Sequence, residues 1–145
     1  MTAAKILIVE DDEDMCEELK DILEYEKYEV DICYDGRAAM ESIKNSEYDI
    51  VVLDLKMPHM SGYEILKYFS QKKGSPRFLV LSGTPVSKDI LGERPDKDEQ
   101  FPYEDKEKNA CLRLADAVIN KPFNVEDVLS RLQKILNSPS KALRT

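Results

Sequence analysis

The chain has 145 residues, of which 42% are hydrophobic and 34% are charged, and its formal net charge is −8. This length suits one domain with one hydrophobic core, and the negative charge argues against a nucleic-acid-binding surface. The apolar runs are far too short to span a membrane, and the first residues lack the apolar region of a signal peptide. We therefore expect a cytoplasmic protein without a membrane partner.

The cysteines and the single histidine predict neither a disulfide framework nor a zinc site. The three cysteines are odd in number, widely spaced and outside any Cys-x-x-Cys pair, so we expect reduced, small hydrophobic side chains. They are Cys16, Cys33 and Cys111. His59 follows Pro58 in a loop and is predicted to be solvated rather than catalytic or metal-binding.

The first half of the chain alternates between short, β-branched apolar runs and amphipathic stretches. The runs are too brief for helices and are typical of strands covered on both faces, as in parallel sheets. The amphipathic stretches have helical spacing, and the first begins with acids that favour a helix N-terminus. The predicted elements are strands at 5–9, 29–34 and 49–54 and helices at 14–26, 37–46 and 62–72.

The second half continues the alternation after an irregular interruption. A fourth buried strand is predicted at 78–81, but residues 85–108 show no sustained helical period and far exceed the usual βα connection. That segment is expected to be either a mobile loop or a series of short irregular turns. The remaining predictions are a helix at 104–115, a strand at 117–119, a helix capped by Asn124 over 125–136, and a disordered tail at 138–145.

The order βαβαβαβαβα predicts an α/β fold. We expect a flavodoxin-like, doubly wound sheet of five parallel strands in the order 2-1-3-4-5, with helices on both faces and an irregular region after the fourth strand. Residues 1–137 should form one domain, with 85–108 as an insertion.

Polar residues follow four of the five predicted strands. Glu10 and Asp11 follow the first strand, Asp54 ends the third, Ser82 ends the fourth and Lys121 follows the fifth. The carboxyl ends of parallel strands share one edge, so these residues should meet there. Each also has a simpler explanation by itself: Asp54 or Ser82 as a turn residue, Lys121 as a surface lysine.

Together these residue types fit phosphoryl transfer. Crowded carboxylates repel one another unless a cation lies between them, and Mg²⁺ prefers oxygen ligands. We expect Asp11 and Asp54 to bind it directly, Glu10 through water, and one backbone carbonyl to complete the protein ligands. Asp54 can act as a nucleophile toward phosphorus, while Lys121 and Ser82 hold the phosphoryl oxygens.

Four motifs resemble those of the CheY-like receiver domains of two-component response regulators, over about residues 5–137. They are Ile-Leu-Ile-Val-Glu-Asp-Asp at 6–12, Val-Leu-Asp-Leu-Lys-Met-Pro-His-Met-Ser-Gly at 52–62, Leu-Ser-Gly at 81–83 and Lys-Pro-Phe at 121–123. The resemblance implies a single receiver domain in which Asp54 is the phosphoacceptor. It implies Glu10 and Asp11 as the acidic metal pair, with the Lys56 carbonyl as the third protein ligand.

The same resemblance implies roles for the other strand ends and for partners. Ser82 corresponds to the hydroxyl switch residue, Lys121 to the phosphate-pairing lysine, and the bond before Pro122 to the family's cis peptide. A histidine kinase or phosphotransfer protein would supply the phosphoryl group, and an unidentified output protein would bind the 85–123 region. We expect a monomer or weak homodimer whose output passes through protein contacts.

Two features depart from the family pattern. Ser82 and Lys121 lie 39 positions apart, roughly twice the separation usual in these domains, and the excess falls in 85–108. Val118 occupies the position, three residues before the lysine, where an aromatic residue commonly changes orientation on activation. These departures concern the coupling of phosphorylation to output rather than the phosphoacceptor site.

Three functional hypotheses remain open. The first is a phosphorylation-controlled binding module that is not a conventional enzyme, although it takes part in its own phosphorylation and dephosphorylation. The second is a phosphatase of the haloacid dehalogenase type, but such enzymes need an Asp two residues after the nucleophile, where this chain has Lys56. The third is a receiver-like scaffold with lost or atypical switching, suggested by Val118 and the insertion.

Overall fold

The computed structural model describes residues 3–57, 60–83 and 110–138, and these residues form five strands and four complete helices. The strands are β1 (Lys5–Val9), β2 (Glu29–Cys33), β3 (Ile50–Asp54), β4 (Arg77–Ser82) and β5 (Ala117–Asn120). The helices are α1 (Glu13–Tyr25), α2 (Gly36–Asn45), α3 (Gly62–Ser70) and α4 (Val125–Leu136). Residues 110–112 are also helical. Each of the nine elements lies within two residues of its predicted position.

All five strands pair in parallel, in the order β2-β1-β3-β4-β5. The predicted fold is therefore confirmed. The register aligns the strand ends that matter for the site: Val9 pairs with Leu53, Asp54 with Leu81, and Ser82 with Asn120. Because every strand runs in the same direction, the residues that follow them emerge at one edge of the sheet, which we call the carboxyl edge.

The core consists of two apolar layers, one on each face of the sheet. Alternate residues of the strands enter opposite layers, as the pleat requires. On one face the strands pack with α2, α3 and the 110–115 segment, and this layer includes Leu53, Val80, Ala39, Ile65 and Leu112. On the other they pack with α1 and α4, and this layer includes Ile8, Val52, Leu19, Val128 and Leu132. Coverage of both faces explains why β1, β3 and β4 are almost entirely apolar.

Each complete helix begins with a side-chain cap, which satisfies an N–H group that has no partner within the helix. The caps are Asp12 to the Met15 N–H (3.1 Å), Asp35 to the Ala38 N–H (2.9 Å), Ser61 to the Glu64 N–H (3.4 Å) and Asn124 to the Asp127 N–H (2.8 Å). The Asn124 cap was predicted. Each of these capped N-termini comes after a strand end, and they lie at the carboxyl edge.

The predicted helix at 104–115 ends earlier than expected. After residue 112 the backbone bonds tighten, with the N–H of Leu114 donating to Cys111 and that of Ala115 to Leu112. The N–H of Asp116 then donates to the Phe78 carbonyl at 2.9 Å, so the chain has already joined the sheet. The helix ends early because the chain must pair with β4 to form β5, and these sheet bonds replace the helical bonds that the sequence pattern predicts.

Arg77 connects the start of β4 to the end of α4. Its guanidinium donates to the carbonyl of Ile135 and, at 2.6 Å, to the carbonyl of Ser138. These carbonyls lie at the helix C-terminus, where acceptors lack partners within the helix. Arg77 therefore holds the last turn of α4 against the sheet.

Some predictions concern residues outside the described ranges: the insertion at 85–108, His59, and the predicted tail beyond Ser138. Cys16, Cys33 and Cys111 are free thiols, of which the first two are buried. Within the described ranges, no helix has the length and apolar character needed to cross a membrane.

Candidate functional site

Three carboxylates converge at the carboxyl edge, where β1 and β3 end. Glu10 is 1% exposed and Asp54 is 5% exposed, whereas Asp11 is open to solvent. One carboxylate oxygen from each of the three residues lies within 4.8 Å of the others. The pairing of β1 with β3 produces this cluster, because it places the two strand tips side by side. The predicted acidic group is thus brought together by the fold.

Lys121 supplies the positive charge that these carboxylates need. Its ammonium donates to Glu10 Oε2 at 2.9 Å and to Asp54 Oδ2 at 3.3 Å. The Lys121 side chain keeps 30% exposure, so the ion pairs lie at the mouth of the site rather than in the core. The Lys121–Pro122 peptide bond is cis, as the resemblance implied. The Lys121 N–H also donates to the Ser82 carbonyl at 2.7 Å, which ties the lysine to the end of β4.

The titration of this group reflects its crowding. Burial raises the pKa of Glu10 from 4.5 to about 7; neighbouring Asp54 and Asp11 add to the rise, while the bond with Lys121 opposes it. Burial by itself would lower the pKa of Lys121, but Glu10 and Asp54 outweigh it, so the Lys121 pKa is raised. One ammonium therefore does not balance the carboxylates, which favours a second cation at the site.

The loop after β3 orients the Asp54 side chain. The Lys56 N–H donates to Asp54 Oδ1 at 3.2 Å, so both carboxylate oxygens of Asp54 have a donor. The loop closes where the Gly62 N–H donates to the Leu55 carbonyl at 3.0 Å. A side chain at Gly62 would not fit, since its Cβ would lie 2.5 Å from the Asp54 carbonyl oxygen. A glycine is therefore required for this loop to fold back onto the strand tip.

Ser82 and Val118 lie on the face of the sheet that packs with α2 and α3. Ser82 is 1% exposed. It comes two residues after Val80 in β4, so the two side chains share the face of the sheet that packs with α2 and α3. Val118 is 2% exposed and belongs to the same layer. The described structure thus brings Glu10, Asp11, Asp54 and Lys121 together through their side chains and joins Ser82 to them through its backbone.

Sequence reasoning did not identify two further residues at this edge. Asp12 caps α1, and its N–H also donates to Glu10 Oε1 at 3.3 Å, which fixes the buried carboxylate. Its position just before the first helical turn was the available signal. Asn120 precedes Lys121, and its buried Oδ1 has no hydrogen-bond partner among the residues that the structure describes. No sequence signal marks it, because its environment depends on the strand alignment.

The donor set determines what the site can do. Glu10, Asp11 and Asp54 offer oxygen ligands suited to a hard cation. Asp54, like Glu10, is held by one backbone and one side-chain donor, and it is the last residue of the central strand β3. A carboxylate in this position can act as a nucleophile.

The family model for the response regulator receiver domain matches residues 6–91 of this chain. The response regulator ArlR of Staphylococcus saprophyticus is 31% identical over 140 residues, which make up 96% of this chain and 56% of that protein. The chain spans about half the length of the curated relatives it matches.

Solved structures of receiver domains are also similar to this chain. The CheY-like receiver domain from Methanospirillum hungatei is 26% identical with a TM-score of 0.74, over 93% of this chain and 94% of that one. Thermotoga maritima TrrA, solved in complex with Mg²⁺-BeF, is also 26% identical, with a TM-score of 0.70 over 91% and 98% of the two chains. The chain therefore belongs to the response regulator receiver domain family, and its function is that of a receiver in two-component signal transduction.

Proposed function

We propose that Asp54 accepts a phosphoryl group from a phosphohistidine donor, in a reaction that requires Mg²⁺, and that the modified domain switches its protein contacts. The observation that carries the proposal is the pairing of Asp54 with Lys121 inside a cluster of three carboxylates. Asp54 is buried and accepts from two donors at the edge where parallel sheets bind ligands. A residue that merely began a turn would need none of these partners.

The carboxylate cluster fits Mg²⁺. In this proposal Glu10, Asp11 and Asp54 provide carboxylate oxygens, and the carbonyl of Lys56 provides a fourth ligand. Asp11 is exposed and Glu10 is buried, which agrees with direct contact for Asp11 and contact through water for Glu10. When bound, the ion would neutralise charge on the transferred phosphoryl oxygens.

The chain's own residues position the reaction. One Asp54 oxygen attacks phosphorus; a P–O bond forms as the P–N bond to the donor imidazole breaks, and the imidazole leaves with the electron pair and takes up a proton. Lys121 already contacts Asp54 Oδ2 and can donate to an incoming phosphoryl oxygen. Ser82 would donate its hydroxyl to another oxygen. Water can later attack the same phosphorus; the bond from phosphorus to the Asp54 oxygen then breaks, inorganic phosphate is released and the carboxylate is restored, so the domain participates in its own dephosphorylation.

A cleft beside Lys121 supports the approach of a protein donor. It encloses about 660 Å³ and lies between α1 and the chain that follows β5. Its lining includes Met15, Leu19, Phe123 and Val125. We infer that a histidine kinase or a phosphotransfer protein docks there, in the cytoplasm, and that a separate output partner reads the 85–123 region.

Intact-mass spectrometry after incubation with acetyl phosphate and Mg²⁺ tests the proposal. We expect the mass of the wild-type chain to increase by one phosphoryl group and that of Asp54→Asn to stay unchanged. Asp21→Asn, which makes the same change at an exposed position of α1, should be modified like the wild type. Omitting Mg²⁺ should suppress the reaction. Equal modification of wild type and Asp54→Asn would disprove the role of Asp54.

Val118 favours a second candidate, a receiver whose switching is atypical. Its own side chain is aliphatic and is buried in the layer that contains Leu112, so position 118 offers no aromatic ring that could turn outward. Hydrogen exchange with and without beryllofluoride distinguishes the two functions. Ordinary switching predicts a marked change in protection across 85–115, whereas the scaffold predicts none.

A further inference from the structure

Gly36 contacts the loop that follows β3, although it belongs to a different element. It is the first residue of α2 and is buried. A Cβ built on Gly36 would lie 2.1 Å from the carbonyl oxygen of Met60 and 2.7 Å from its Cβ. Both distances are shorter than real Cβ contacts allow, and one of them is to a backbone atom. The backbone at Met60 thus occupies the space that any other residue at position 36 would fill.

The same loop carries groups that act at the site. At its start, the Lys56 N–H holds Asp54 Oδ1, and the bond between Leu55 and Gly62 closes it. The contact with Gly36 comes near its end, at Met60. The loop is therefore seated at two places, one on the tip of its own strand and one on the first turn of α2.

We propose that Gly36 is a positioning residue for the metal and phosphoryl site, because it seats the loop that presents Lys56. This inference rests on the proposed function, in which the Lys56 carbonyl binds Mg²⁺. Gly36 would not touch the ion. It would act through Met60 and the loop, in the way that residues behind metal ligands commonly set their geometry.

The loop, rather than the helix, should move when a side chain is added at position 36. Restoring even a 3.0 Å contact requires the Met60 carbonyl and the Cβ to separate by about 1 Å. The helix resists this movement, since Asp35 caps it and Ala39 and Ile43 are anchored in the core. Displacements of this size at a site cost large factors in affinity or rate.

Isothermal titration of the full chain with Mg²⁺ tests this role in Gly36→Ala. We expect its Mg²⁺ affinity to be about tenfold weaker than that of the wild type. Gly83→Ala is a matched control, because no residue within the described ranges lies within 4 Å of a Cβ at that position, and its affinity should equal that of the wild type. A folded Gly36→Ala with wild-type affinity would overturn the inference. Failure of the wild type itself to bind Mg²⁺ would instead overturn the proposed function.

A measurement on the wild type decides the question even if Gly36→Ala does not fold. In amide-resolved NMR spectra, saturation with Mg²⁺ should shift the Gly36 signal, because the ion would tighten the loop that rests on it. The Gly74 signal should stay unchanged, since Gly74 precedes the first residue of β4 and so lies at the edge of the sheet opposite the site. A Gly36 signal that does not respond, in a protein that binds Mg²⁺, would refute the positioning role.

Discussion

Replacing Glu10 by Gln should stabilise the Mg²⁺-free protein at alkaline pH. Burial, together with Asp54 and Asp11, raises the pKa of Glu10 from 4.5 to about 7. A shift of this size corresponds to about 3 kcal/mol, the free energy that the folded state loses when Glu10 ionises. The figure already includes the opposing bond with Lys121. Glutamine has nearly the same shape without the charge, so the variant should avoid this loss.

The pH dependence follows from the direction of the shift. The contribution of Glu10 to stability is fully present below pH 4.5, where both states are protonated, and is lost as the pH rises to about 7. Wild type and Glu10→Gln should therefore unfold with similar free energies near pH 5. At pH 8 the variant should be more stable, by about 3 kcal/mol.

Urea denaturation followed by far-UV circular dichroism measures this difference, since the chain has no tryptophan. Glu41→Gln makes the same change at an exposed position of α2 and should leave the stability unchanged at both pH values. Adding Mg²⁺ at a hundredfold excess over its dissociation constant should raise the stability of the wild type by about 2.7 kcal/mol. If the gap between wild type and Glu10→Gln does not widen from pH 5 to pH 8, the reasoning is wrong.

Two further predictions concern parts of the fold away from the carboxylates. Iodoacetamide should leave Cys16 and Cys33 of the native protein unmodified at pH 8, because both are buried and burial raises the pKa of Cys16 to about 12 and that of Cys33 as well. Intact-mass spectrometry reports the labelling, and unfolding in guanidinium should make both thiols reactive. Rapid labelling of these two thiols in the native protein would contradict their burial. Arg77→Ala should lower the free energy of unfolding by about 1–3 kcal/mol, because the Ser138 carbonyl loses its side-chain donor and the Ile135 carbonyl, which also accepts from the Ser138 N–H, loses one of its donors. Exposed Arg37→Ala should have little effect, and an equal loss in both variants would show that Arg77 has no special role.

The strands and the site edge could be predicted because local sequence determines them. A run such as Ile50–Leu53 is buried on both faces wherever it lies in a parallel sheet, and the residue after it must then emerge at the carboxyl edge. This reasoning placed Asp54 beside Glu10 and Lys121 without coordinates. It also placed one cap, Asn124, because capping depends on neighbours three residues away.

The remainder depended on contacts between distant parts of the chain. No pattern in the sequence indicates that Gly36 meets Met60. Nor does any pattern indicate that the Lys121 ammonium lies closer to Glu10 than it does to Asp54. The end of the helix before β5 was also mispredicted. Its apolar spacing continues to residue 115, but the bond between Asp116 and Phe78 takes the chain into the sheet first.

The bonds made by Arg77 give β4 a mechanical role. Arg77 and Ser82 are the first and last residues of this strand, so they stand about 17 Å apart. One end of the strand meets Lys121 through the Ser82 carbonyl, and the other holds the last turn of α4. A displacement of β4 along its axis would move both together. β4 thus links the site to the C-terminal end of α4. A probe attached near the end of α4 would report on movements of Lys121 and Ser82 at the opposite edge of the sheet.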